Sequence, residues 1–165
     1  KKLDAPVEIT IGKDLSATTE IDPIVIYNEP LEISFLKTDA KTGEALTGAT
    51  LELHLAELID NGYTVGDFAT TIYDTKPESF TWTSGIGVKV FEGLFADQIY
   101  ALVETDAPNG YLTADTIYFY IEQDGTVKVY NGTEFTELEE GTVQISMEDE
   151  LVTASLRKRD ADFGL

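Results

Sequence analysis

The chain has 165 residues, of which 31 are Asp or Glu and 11 are Lys or Arg, for a formal net charge of -20. A phosphate backbone or an anionic membrane surface would repel such a chain, so no nucleic acid and no membrane contact is expected, and an acidic extracellular surface is the plain reading. Cysteine is absent, which excludes disulfides, thiol nucleophiles and thiolate metal sites; with a single His54 there is no histidine cluster either, so neither a metal nor a cofactor is expected.

In chain order, two-residue alternation with turn punctuation predicts an all-β sandwich. Leu31, Ile33 and Phe35 alternate with Glu32 and Ser34 in a first strand, and Asp39, Thr42 and Gly43 supply a turn. A second strand runs through residues 49–53, with His54 next in the alternation and expected to face outward. Residues 55–80 then break the pattern and read as a long connection or insertion, residues 55–59 being compatible with one helical turn. Strands follow at residues 88–91, 99–104, 116–122, 126–130 and 142–147, with tight-turn signals at Asp124-Gly125 and Asn131-Gly132.

The chain also repeats itself. Ile24-Val-Ile-Tyr-Asn28-Glu29 followed by Lys37 resembles Ile145-Ser-Met-Glu-Asp149-Glu150 followed by Lys158; both landmarks recur at the same offset of 121 residues, from 28 to 149 and from 37 to 158. That spacing suits one domain. Residues 1–29 are therefore expected to be the trailing strands of a preceding module, 30–155 a full module, and 156–165 the start of the next. No apolar signal segment opens the sequence, so targeting signals are expected in a longer parent protein.

Parity raises a question about charge. Ile33, Phe35 and Lys37 share one strand face; so do Tyr100, Leu102 and Glu104, and so do Ile145, Met147 and Asp149. Three charged side chains fall on core-facing positions, where an unpaired ion is costly. Condensing the Lys37 amine with the Asp149 carboxyl group to an amide removes two charges and releases water. Burial favours a neutral, nucleophilic amine and a protonated glutamic acid, so Glu104 can act as a proton shuttle while the fold supplies proximity. Such a step turns over once and is not enzyme catalysis. Glu148, beside the acceptor, should point outward.

The same residues carry a family resemblance. Phe35-Leu-Lys37-Thr-Asp39, Thr42-Gly43, Leu46-Thr-Gly-Ala49, and Val103-Glu104-Thr105 leading to Ala107-Pro108-Asn109-Gly110-Tyr111 resemble the Cna-B-type (SpaA-like) modules of Gram-positive surface adhesins and pilins. These include the fibronectin-binding-protein domain used as a catcher and tag pair, whose tag strand is similar to residues 143–150. The resemblance covers roughly residues 31–152, and Glu-Thr-x-Ala-Pro-x-Gly-Tyr is its most specific part. It implies an Ig-like, prealbumin-like β-sandwich in an extracellular, cell-wall-anchored parent protein, with adjacent modules of the same kind as partners. It also implies an isopeptide bond from Lys37 to Asp149 promoted by Glu104, with Asn28 the acceptor of the preceding module and Lys158 the nucleophile of the next. Many relatives carry Asn where Asp149 stands, so water would leave here instead of ammonia.

Other readings stay open. Taken singly, Lys37 reads as a surface lysine at a strand end and Asp149 as a turn-forming aspartate, and together with Glu104 they could form a non-covalent cluster. Tyr63, Phe68 and Tyr73 leave room for a host-ligand-binding adhesin domain that uses residues 55–80, its ligand an extracellular-matrix or cell-surface molecule. A hydrolase with paired carboxylates is a third reading, which no Ser-His-Asp arrangement or nucleophile elbow supports. Tyr118, Phe119, Tyr120, Phe91 and Phe95 read as core and edge packing rather than a sugar platform.

Overall fold

The computed structural model describes residues 31–60, 62–138 and 143–155. Within these the chain forms β1 (Glu32–Asp39), β2 (Thr50–Ile59), β3 (Gly62–Phe68), a 3-10 turn (Pro77–Phe80), β4 (Thr81–Thr83), β5 (Lys89–Glu92), β6 (Gln98–Asp106), β7 (Ile117–Ile121), β8 (Val127–Tyr130), β9 (Phe135–Glu137) and β10 (Gln144–Asp149). Two sheets result. The smaller has the order β10-β1-β5; the larger has β3-β2-β6-β7-β8-β9, with β4 also on β2. The flanking module fragments expected at residues 1–29 and 156–165, with Asn28 and Lys158, lie outside the described residues.

Alternation builds the core. Ile33 and Phe35 from β1, Ile145 and Met147 from β10, Leu51 and Leu53 from β2, Tyr100 and Leu102 from β6, and Phe119 and Ile121 from β7 are all at most 2% exposed. Burying each such side chain stabilises the fold by about 1.5–3 kcal/mol. Phe35 sits at the centre, its ring 5.7 Å from Phe119, 5.9 Å from Phe91 and 6.0 Å from Trp82. The sandwich is thus filled by aromatic rings at its middle, while the Lys37 end is left to polar groups.

β1 and β10 pair in parallel, with Lys37 opposite Met147 and Asp39 opposite Asp149. The first and last strands of the module are therefore neighbours, and their ends lie side by side. On the facing sheet, β6 pairs antiparallel with β2, Leu51 opposite Glu104.

Two expectations are corrected. Residues 55–59 are not a helical turn: they continue β2 and pair with β3, Ala56 opposite Val65 and Leu58 opposite Tyr63, after a register shift between His54 and Ala56. The apolar spacing Leu55, Leu58, Ile59 imitates a helix face, and cross-strand pairing overrides it. Residues 55–80 accordingly hold the far half of β2, all of β3 and the 3-10 turn instead of one connection. His54 does not face solvent. It is 8% exposed, stacked on Phe68 with ring centroids 4.2 Å apart, and its ring nitrogens lie 3.1 Å from the Gly66 carbonyl and 3.0 Å from Glu52 Oε2.

Candidate functional site

At the polar end of the core, Lys37 comes from the middle sheet strand β1, Asp149 from the last residue of β10 and Glu104 from β6 on the opposite sheet. The three side chains have no exposed surface. Lys37 Nζ donates to Asp149 Oδ1, and Glu104 Oε1 stands 3.2 Å from the same nitrogen without completing a hydrogen bond. The sequence parity of these three residues is matched by their burial, and the fold brings them together. Glu148, next to Asp149 in β10, is exposed.

The electrostatics are unusual for a core. Glu104 Oε1 and Asp149 Oδ2 are both buried with no hydrogen-bond partner, a costly state for carboxyl oxygens. Burial pushes the Glu104 carboxyl above the usual carboxylate range; the Ala114 N–H, 2.7 Å from Oε2, and the Lys37 charge pull the other way and do not cancel it. One amine therefore faces two carboxyl groups in a dry pocket, and one of those groups is biased toward its neutral acid. That is the arrangement amide condensation requires: a nucleophile in contact with a carboxyl group, and a proton donor beside both.

The chain matches the SpaA prealbumin-like fold domain over residues 31–135. It belongs to that family. Among solved structures, this SpaA-type module is similar to the C-terminal fragment of the pilus adhesin SpaC from Lactobacillus rhamnosus GG, at 18% identity over 78% of this chain and 47% of that one, with a TM-score of 0.50. That likeness concerns the fold alone. The group B streptococcus pilus 2b backbone protein is 21% identical over 82% of this chain and 47% of that one, with a TM-score of 0.47. The pilus-presented adhesin Spy0125 (Cpa) is 21% identical over 67% of this chain, with a TM-score of 0.46; the chain spans 21% of that structure's length. No curated protein matches.

A second polar group beside the buried triad was not singled out by sequence. Asp39 is buried, its Oδ1 accepting the N–H groups of Lys41 and Thr42 at 2.8 Å and its Oδ2 the Tyr111 hydroxyl at 2.8 Å. Asp39 reads as a turn former from sequence, and it is one. The signal for more was its parity with Asp149, visible only once β1 and β10 are known to pair.

Proposed function

We propose that this chain is a structural stalk or backbone module of a Gram-positive surface adhesin or pilin, crosslinked by its own Lys37–Asp149 isopeptide bond. The observation that carries it is the direct contact of Lys37 Nζ with Asp149 Oδ1 in a fully buried pocket beside Glu104. Membership of the SpaA prealbumin-like family supports the structural part of the reading.

The chemistry balances without a cofactor. A proton passes from the Lys37 ammonium to the Asp149 carboxylate, giving amine and acid. The amine lone pair attacks Asp149 Cγ and a C–N bond forms, while the Glu104 acid polarises the carboxyl oxygen. Glu104 then relays the surplus proton from nitrogen to the departing hydroxyl; the C–O bond breaks, one water leaves, and Glu104 ends as it began. Two buried charges and two unsatisfied carboxyl oxygens are thereby replaced by one neutral amide and one neutral acid.

The bond would tie the first strand to the last, where the chain enters and leaves the module. A pulling force would then pass through the amide and bypass the residues between. In a tandem stalk the outcome is a module that resists unfolding, a task disulfides would otherwise perform. Neighbouring modules of the same chain are its partners in that role.

The test is the intact mass of the denatured chain. Wild type should weigh one water less than its sequence, and Glu104→Ala and Asp149→Ala should show the full mass; a full mass in folded wild type would leave only a non-covalent cluster.

A second reading, host-ligand adhesion through residues 55–80, is favoured by exposed Leu58, Ile72 and Tyr73, at 76%, 58% and 64%. Tyr63 and Phe68 contribute less to it, since Tyr63 packs within 5.7 Å of Tyr118, Tyr130 and Phe135, and Phe68 covers His54. If Ile72→Ser with Tyr73→Ser leaves binding to an array of extracellular-matrix proteins unchanged, adhesion through this surface is ruled out.

A further inference from the structure

One short segment, residues 110–114, reaches Glu104 of the buried site, Asp39 beside it and the residues that follow Asp149. Leu112 N–H donates to the Glu150 carbonyl at 2.9 Å, Val152 N–H donates to the Gly110 carbonyl at 2.8 Å, and Tyr111 bridges to Leu151. The segment therefore lies along the end of β10, immediately after Asp149. Ala114 N–H donates to Glu104 Oε2 at 2.7 Å. Tyr111 reaches across to β1, where its hydroxyl donates to Asp39 Oδ2 at 2.8 Å. Gly110, at φ +92°, makes the turn that sets this course, with Tyr111 N–H closing onto the Pro108 carbonyl at 3.0 Å.

We infer that residues 110–114 are a clamp that holds Glu104 in the one arrangement useful for the crosslink proposed above, and that the Tyr111–Asp39 hydrogen bond keeps the clamp shut. The inference rests on that crosslink reading for its function, while the geometry stands independently of it. In a neutral carboxylic acid the better acceptor is the carbonyl oxygen, and Ala114 assigns that role to Glu104 Oε2. The acid hydrogen then belongs to Oε1, the oxygen 3.2 Å from Lys37 Nζ. Without the Ala114 N–H the carboxyl group could flip, or carry its hydrogen on the oxygen remote from the amine, and the shuttle would be aimed away from the reaction. Ala114 and Tyr111 are thus positioning groups, acting through Glu104 and β10.

The lock is well built. Asp39 is 5% exposed, and three donors meet its two oxygens. The Thr42 N–H first, then the Tyr111 hydroxyl and the Lys41 N–H, hold its carboxyl below the usual carboxylate range, so it is an anionic acceptor at neutral pH. Because Asp39 is in register with Asp149, closing the lock also fixes the end of β1 against the end of β10. Three segments far apart in sequence are thereby held to one geometry.

Two measurements test the clamp. In the first, the full chain is made by cell-free translation and quenched into denaturant at timed intervals, and the crosslinked fraction is read by intact mass for wild type, Tyr111→Phe and Ala114→Pro. Crosslinking should be about tenfold slower in each variant, the size of one lost hydrogen bond to an ionisable group. Equal rates in folded Tyr111→Phe and wild type overturn the clamp and leave the crosslink standing. Tyr111→Phe removes a single oxygen, so it decides the matter if Ala114→Pro does not fold.

The second measurement uses Lys37→Met, which cannot crosslink, and follows the Glu104 carboxyl by side-chain carbon-13 NMR titration. Adding Tyr111→Phe or Ala114→Pro should raise the Glu104 midpoint, because the N–H that favours its anion is loosened or lost. An unmoved midpoint overturns the clamp. A wild type that never loses water overturns the crosslink reading, and the titration alone then decides whether residues 110–114 position Glu104.

Discussion

Lys37 and Lys128 each sit against a carboxyl group, Lys37 with none of its side-chain surface exposed and Lys128 with 29%. Lys128 Nζ lies 2.6 Å from Glu122 Oε1 on the outer face of the larger sheet, and that hydrogen bond raises its pKa above the ordinary lysine value. The pair is partly exposed, so solvent reaches both groups and they stay inert toward each other. Around Lys37 the three side chains have no exposed surface, two carboxyl oxygens have no hydrogen-bond partner, and burial biases Glu104 toward its neutral form. The same functional groups, at contact distance in both places, thus face opposite chemical incentives. Solvent exclusion, more than proximity, separates a salt bridge from a site for condensation.

The largest expected effect comes from removing the proposed crosslink. A bond spanning 112 residues stabilises by about 4–5 kcal/mol if the loop-entropy treatment of disulfides carries over, so Asp149→Ala or Glu104→Ala should lower Tm on the order of 15 °C. Both variants should also become sensitive to protease. Calorimetry with equal Tm values for wild type and Glu104→Ala would erase the distinction between the two lysines, since Glu104 would then have no part in a covalent bond.

A smaller effect sharpens the comparison through pH. Lys37→Met keeps the Glu104 carboxyl group in its dry pocket and removes one of the influences that lower its pKa. Because burial places the folded value above the unfolded one, the neutral acid favours folding. That stability is fully present below the ordinary carboxylate range and is lost as pH climbs through the raised folded value. Urea midpoints for Lys37→Met should therefore fall as pH rises above the ordinary carboxylate range. A midpoint that is flat or rising there would mean that Glu104 is solvated, and the contrast with Glu122 would collapse.

How much of this was legible in advance follows from range. Alternation places Lys37, Glu104 and Asp149 on core-facing parity because each belongs to a strand with apolar neighbours two residues away, and the sandwich is legible for the same reason. β3 was missed because Gly66 and Asp67 interrupt its pattern and its pairing with β2 supplies the order. β4 and β9 have three residues each, too few for a period to register. His54 follows the outward parity of its strand and is covered all the same, because Phe68 arrives from β3. The Tyr111–Asp39 bond joins residues 72 apart in sequence, and only the parallel pairing of β1 and β10 gives it a role at the site.

The smallest effect is expected at the comparison's other pole. Lys128→Ala removes a partly exposed ion pair whose attraction is screened by solvent and offset by the entropy of holding two long side chains. Tm should fall by a few degrees at most, the intact mass should still show the loss of one water, and the shift should shrink as salt is raised from about 0.05 M to about 1 M. The effect of Glu104→Ala, in contrast, should be indifferent to salt, because ions do not enter a pocket with no exposed side-chain surface and an amide has no charge to screen. If Lys128→Ala instead lowered Tm as much as Glu104→Ala, in high salt as in low, outer-face pairs would share the work of stabilisation. The buried triad would then lose its claim to a special chemistry, since both lysines would be behaving as ordinary structural ions.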